Sequence, residues 1–325
     1  MSEQRVDRAV GAVVGSAVGD ALGAPFEFGP AGQYTARFPA PVLSGVGEMA
    51  GGGGFGWSPG EFTDDTQMAI VQAESLLACG GFDGADLFER FRVWAADAPD
   101  VGVQTRAALR SGLPWHRAAA EFYERSGRAA GNGSIMRAAP TAVWASALPE
   151  QQSDELARAV AALTHGDPAA GWGTVILHRL ITTALHGNDP WAAIDDAVAA
   201  LPVGQERFAE MLAADWSPTA TTLPNGTVWT CLAQAVWAVR RATCFEDAVT
   251  AAIDLGDDTD TVAAVAGGLA GALWGAAAIP PRWTAPLHGH VTTSDGRRTY
   301  AHADLVTLTE RLLTARPTHD WRSRS

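Results

Sequence analysis

The sequence predicts an all-α protein folded as one compact domain. Helix-period apolar runs recur along its 325 residues, alanine is abundant, and strand-like alternation is scarce. No strong linker divides the chain and no repeat of solenoid period is visible. The domain is expected over residues 1–316, with a frayed tail over 317–325.

The expected helices follow in order. Residues 6–23 form a Gly/Ala/Val run that stops before Pro25. After the Gly51–Gly54 run and Pro59-Gly60, helical patterns cover 64–79 and 84–97. Next come 152–164, then 169–186 behind Pro168, and 190–200. Beyond Pro218 and Pro224 lie 227–241, 245–253 and 259–278, the last closed by Pro280-Pro281. A final helix is expected over 302–315. The 259–278 helix carries a small residue at every fourth position: Ala263, Gly267, Gly271 and Gly275. Glycine inside a helix costs about 1 kcal/mol relative to alanine, so this stripe predicts a central helix closely approached by another. Residues 262–279 carry no charge, but their Ala/Gly content fits a buried helix better than a membrane span. Tryptophans such as Trp94, Trp229, Trp237 and Trp274 fall in apolar helical runs and read as core.

Composition narrows the function. The net charge of -13 excludes a basic nucleic-acid groove. Cys79, Cys231 and Cys244 form no CxxC pair, which predicts neither a disulfide framework nor a zinc site. A reducing, cytoplasmic setting is therefore expected, with no signal peptide in the N-terminal run.

Two acidic clusters point to chemistry: Phe62-Thr63-Asp64-Asp65-Thr66-Gln67-Met68 and Gly256-Asp257-Asp258-Thr259-Asp260-Thr261-Val262. Each opens a helical run, so capping is the simple explanation, and Asp64 with Gln67 resembles a capping box. A helix needs only one cap, however, and both clusters hold an excess of oxygens. If they meet, Asp64, Asp65, Asp258 and Asp260 bring four negative charges together, which two divalent cations would balance. Thr63 and Thr261 add neutral oxygens, and hard cations prefer such ligands. Without metal the carboxylates would repel and their pKa values would rise. An EF-hand does not fit, because counting from Asp258 puts Ala263 where glycine is needed and Leu269 where glutamate is needed. The DDxxD run of prenyl-pyrophosphate enzymes fails at Met68.

The sequence resembles the ADP-ribosylglycohydrolases, the all-α family that includes dinitrogenase reductase-activating glycohydrolase. Six segments carry the likeness, in order: residues 15–27, Phe62–Thr66, Gly131–Arg137, Leu163–His165, Asn225–Val228 and Gly256–Thr261. It covers roughly residues 7–285 and implies a compact orthogonal helical bundle with a binuclear magnesium site. The ligands it implies are Thr63, Asp64, Asp65, Asp258, Asp260 and Thr261, with manganese able to replace magnesium. One departure stands out: Asp257 takes a position that is usually glycine in the family. Glu27, otherwise a solvated loop carboxylate, corresponds to a residue beside the scissile bond. The implied catalytic set is Glu27, Asp65 and Asp258.

The implied substrate contacts are Asp100, Gly133, Ser134 and His165. Asp100 reads equally well as a helix cap. The Gly131–Ser134 stretch offers backbone N–H groups of the kind that hold phosphate, with a helix starting just after it, or is simply a turn. His165 reads alternatively as a structural cap. The Gly51–Gly56 run is a flexible loop leading to the first acidic helix, or a cover for the ligand. The implied reaction is hydrolysis at C1″ of ADP-ribosylated proteins or small molecules. A monomer is the default expectation, with no membrane partner and nucleic acid only as a modified end. Two rivals are a non-catalytic ADP-ribose binder and a structural protein with two heavily capped helices.

Overall fold

Two buried helices far apart in sequence form the axis on which the others pack. The computed structural model describes residues 2–127 and 130–315. The tail expected over 317–325 lies outside them. The helices are α1 (Glu3–Gly23), α2 (Gln33–Arg37), α3 (Asp64–Cys79), α4 (Gly84–Ala95), α5 (Val103–Leu109) and α6 (Trp115–Ser126). They continue with α7 (Ala139–Ala145), α8 (Glu150–Ala162), α9 (Pro168–Leu185), α10 (Ala192–Ala199) and α11 (Arg207–Met211). The last are α12 (Val228–Arg241), α13 (Phe245–Ile253), α14 (Thr259–Trp274), α15 (Pro281–Thr284) and α16 (His302–Thr314). One antiparallel hairpin, β1 (His288–Thr293) and β2 (Gly296–Ala301), is the sole sheet among the described residues.

The axis is α1 against α14. Every residue from Ala9 to Gly23 and from Thr259 to Ala272 is buried. The predicted stripe on α14 meets a matching stripe on α1. A Cβ at Gly11 would lie 2.3 Å from the Gly271 carbonyl oxygen, at Gly15 2.4 Å from that of Gly267, and at Gly19 2.0 Å from that of Ala263. No side chain fits at those positions, so backbone meets backbone and the register is fixed. At the end of this seam Gly23 abuts Asp260. The last turn of α1 and the first turn of α14 are thereby held side by side.

Around the axis, α13, α12 and α9 pack on α14, while α16, α7 and α3 pack on α1. α8 covers α9, and α4 covers α3 and β1. Glu3–Phe26 is long and apolar enough to cross a membrane, and 94% of its apolar 18-residue stretch is buried inside the protein. The three cysteines are free. Trp94 is fully buried, whereas Trp229, Trp237 and Trp274 are half-buried against the core.

Some elements differ from expectation. α14 stops at Trp274 rather than residue 278, because Gly275 turns the chain with φ +87° and a 3-10 turn follows. The unpredicted α2, α5, α7, α11 and α15 span at most seven residues, too few for a periodic signal. α6 was missed because its buried face is only Ala118 and Ala119. The hairpin buries little beyond Val291 and Tyr300, so its alternation is faint; the turn pair Asp295-Gly296 was its legible mark.

Candidate active site

The two acidic clusters meet. A cavity of about 400 Å³ is lined by Glu27, Asp64, Asp65, Asp100, Asp258 and Asp260 together with Thr261, the Gly131–Gly133 turn and His165. Six carboxylates and no lysine or arginine lie on its wall. One oxygen from each of Glu27, Asp258 and Asp260 falls within 4.8 Å of the others.

The first cluster is freed from capping by a residue on another helix. Asp20 of α1 is fully buried, and its carboxylate accepts from Thr63 N at 3.0 Å, Thr66 N at 3.1 Å and Thr66 Oγ1 at 2.6 Å. A carboxylate there satisfies the open N–H groups of α3 and suits its positive end. Thr63, the N-cap residue, makes no capping bond of its own. Its Oγ1 and Asp65 Oδ2 are buried without a hydrogen-bond partner. The capping box expected of Asp64 and Gln67 is not formed, because Gln67 Oε1 instead accepts from Trp94 Nε1 at 2.8 Å.

The second cluster is also spared. Asp258, the N-cap residue of α14, makes no capping bond. Asn132 Nδ2 donates to its Oδ2 at 2.7 Å, and its amide donates to Asn225 Oδ1 at 3.1 Å. Asn225 is held by Gln234 and the Gly256 carbonyl. Thr259 Oγ1 donates to the Gly23 carbonyl, tying this turn to α1. Asp257 is exposed, with φ +60°, and its backbone pairs with the segment after Glu27: Asp257 N donates to the Gly29 carbonyl and Phe28 N to the Asp257 carbonyl. Asp257 thus works through its main chain, and its carboxylate faces solvent.

Charge is unbalanced in the cavity. Burial, then the charges of Asp100, Asp258 and Asp20, push the Glu27 carboxyl up to about 8. Burial first and neighbouring carboxylates second hold Asp64, Asp65 and Asp260 well above the usual range. Burial also raises Asp20, to about 6, against its hydrogen bonds from Thr66 and Thr63. Asp100 is raised by burial and Asp258, with Arg106 pulling the other way. Arg137, the one fully buried arginine among the described residues, faces Asp64 and Asp65. A single cation does not offset this many acids.

A divalent cation fits these observations. The donors are hard oxygens, no cysteine lines the wall, and two buried oxygens lack partners. Of the six expected ligands, Asp64, Asp65, Asp258, Asp260 and Thr261 line the cavity, whereas Thr63 is fully buried at the start of α3 and does not line it.

The predicted substrate contacts divide. Asp100 lines the cavity and caps no helix, since α5 begins after Gly102. Gly133 and His165 line it too. Ser134 does not: its hydroxyl donates to the Ala170 carbonyl at 3.1 Å. The residues after it form turns through Arg137, and α7 starts only at Ala139. His165 caps no helix, and its Nδ1 contacts Thr164 Oγ1 at 2.8 Å.

Sequence reasoning did not assign Asp20, Asn132, Asn225 or Arg137 to the site. Asp20 and Arg137 each stand alone in a small or apolar run, and that isolation was the available signal. The two asparagines carried none beyond their place beside glycine.

Comparison with known proteins agrees with the geometry. The sequence model of the family described as ADP-ribosylglycohydrolase matches residues 1–321. The chain is 34% identical to the ADP-ribosylarginine hydrolase Tri1 of Pseudomonas putida (strain GB-1), over 86% of this chain and 74% of that one. It is 31% identical to the ADP-ribosyl-[dinitrogen reductase] glycohydrolase of Rhodospirillum rubrum, over 86% and 90%. A solved structure titled "ADP-ribosylglycohydrolase-related protein complex" superimposes with TM-score 0.74 at 32% identity, covering 96% of this chain and 99% of that one.

Proposed function

The chain belongs to the ADP-ribosylglycohydrolase family and is a glycosidic-bond hydrolase, and from that premise we propose that it uses two magnesium ions to cleave the C1″ bond of ADP-ribosylated substrates. The observation that supports this reading is the convergence of Glu27, Asp64, Asp65, Asp258 and Asp260 on one cavity, with Thr63 Oγ1 and Asp65 Oδ2 unpartnered. Manganese is the expected substitute. Similarity to hydrolases named for ADP-ribosylarginine favours a guanidinium nitrogen as the bond partner of C1″. The protein acts as a monomer in the cytoplasm, a setting that suits its free cysteines.

Thr63, Asp64, Asp65, Asp258, Asp260 and Thr261 would hold the ions. When bound, such ions polarise a water and orient the sugar hydroxyls. The residues do the rest. Asp65 and Asp258 present negative charge to an oxocarbenium-like sugar. Asn132 and Asn225 fix the orientation of Asp258. Glu27, beside Asp258 and Asp260, carries the proton at its carboxyl. Asp100, on the cavity wall, contacts the substrate.

The test is release of ADP-ribose from ADP-ribosyl-arginine, ADP-ribosyl-serine peptide and O-acetyl-ADP-ribose, with magnesium and then with chelator. Turnover that survives both chelation and the Asp64→Ala/Asp258→Ala pair rejects the reading.

A further inference from the structure

Arg137 is buried beneath the cavity and spends its donors on four segments. Nε donates to Gln72 Oε1 of α3 at 3.1 Å, Nη1 to the Gly133 carbonyl at 2.9 Å, and Nη2 to the Val160 carbonyl at 3.2 Å and Thr164 Oγ1 at 2.8 Å. Its ring partner is Phe91, 5.0 Å from the guanidinium carbon. One guanidinium thus ties the first acidic helix to the Gly131–Gly133 turn and to the turn that carries His165.

The hydrogen atoms along this path are determined by chemistry. An arginine only donates, so Thr164 Oγ1 accepts from it. Thr164 is 1% exposed, and among the described residues the only other partner of its hydroxyl is His165 Nδ1 at 2.8 Å. The threonine proton has nowhere else to go, and a buried hydroxyl proton without an acceptor is disfavoured. Thr164 therefore donates to Nδ1. The imidazole must then carry its own proton on Nε2, which lies where a Cβ on Gly133 would come within 2.9 Å. Burial and the nearby Arg137 keep the ring neutral, pushing His165 down to about 3.

We propose that Arg137 and Thr164 are positioning residues that hold His165 in its Nε2–H form, so that the cavity offers a neutral donor to a diphosphate oxygen of the ligand. The ligand half of this inference rests on the functional reading above; the tautomer half does not. A neutral donor suits an anion in a cavity already crowded with carboxylates, because it adds a directed hydrogen bond without titrating in the working pH range. Arg137 also fastens the turn opposite the ring through the Gly133 carbonyl, so one residue sets both sides of the contact.

The experiment combines long-range proton–nitrogen NMR on protein labelled at histidine with calorimetric titration of ADP-ribose in magnesium. His165→Gln identifies the His165 signals by their loss. Wild-type protein should show Nε2–H. Thr164→Val, close in shape but without the hydroxyl, should shift His165 toward Nδ1–H or a mixture and weaken ADP-ribose binding about tenfold. Thr164→Ser should restore both, which separates the relay from general packing. An Nδ1–H signal in wild type overturns the proposal, as does wild-type affinity in Thr164→Val. An Nε2–H signal in a wild-type protein that fails to bind ADP-ribose instead rejects the functional reading and leaves the tautomer supported.

Discussion

The amide of Phe28 donates to the carbonyl of Asp257 at 2.6 Å, and these are the two non-glycine residues with left-handed backbone among the described residues, at φ 62° and 60°. Each precedes or follows a residue of the site: Phe28 comes after Glu27, and Asp257 before Asp258. The pair closes an isolated bridge, completed by Asp257 N to the Gly29 carbonyl, that holds Glu27 against the first turn of α14.

Aspartate tolerates this conformation better than most side chains, and glycine better still. Asp257→Gly should therefore change stability by no more than about 0.5 kcal/mol and leave turnover intact. Asp257→Val should cost about 1–2 kcal/mol through left-handed strain and lower kcat by displacing Glu27. Chemical denaturation and steady-state kinetics on both variants check this, and equal behaviour of the two would contradict it.

Glu27→Gln should reduce kcat by about 10²–10⁴-fold if this carboxyl carries the proton. Magnesium-induced thermal stabilisation should persist, because five other carboxylates remain on the wall. Loss of magnesium stabilisation in Glu27→Gln would mark the residue as a ligand instead.

The metal-free protein should lose stability as pH rises. Glu27 and Asp20 have raised carboxyls, at about 8 and about 6 against ordinary values of 4.5 and 3.8. The folded state binds more protons than the unfolded one between those limits, so their favourable contribution is full below about pH 4 and fades by about pH 8. Melting temperatures recorded in chelator from pH 4.5 to 8 should fall, and millimolar magnesium should flatten the slope. A metal-free protein that gains stability across this range would show that the cage is not under charge repulsion.

The α1–α14 seam should be intolerant of a single methyl. Gly19→Ala places a Cβ 2.0 Å from a backbone oxygen and should cost about 3 kcal/mol or more, with activity lost as Asp20 and Asp260 shift. Gly268→Ala meets nothing closer than 3.6 Å and should be neutral or stabilising by up to about 1 kcal/mol. Urea denaturation of the two proteins discriminates the cases.

The sequence made the long helices legible because each buries a periodic face; α3 and α13 begin and end where the pattern placed them. It made the acidic clusters legible because their oxygens exceed any capping need. It hid the device that frees them. Asp20 caps α3 across 43 positions of sequence, and no local pattern announces a cap supplied by another helix. It also hid the orientation of Ser134, whose hydroxyl serves the Ala170 carbonyl. Roles set by long-range contact need the fold, whereas roles set by periodicity or excess charge do not.

The glycine seam also dictates when the site can come into being. Its halves, Gly11 to Gly23 and Ala263 to Gly271, lie far apart in sequence, so the ribosome makes the first well before the second. A nascent chain emerging from the ribosome with α1 and α3 displayed has Asp20, Asp64 and Asp65 but neither Asp258 nor Asp260. Until α14 emerges, the bare glycine face of α1 has no mate, and such exposed surface is open to misassembly. Catalytic competence therefore waits for α14, and termination before Thr259 yields a product with half a cage.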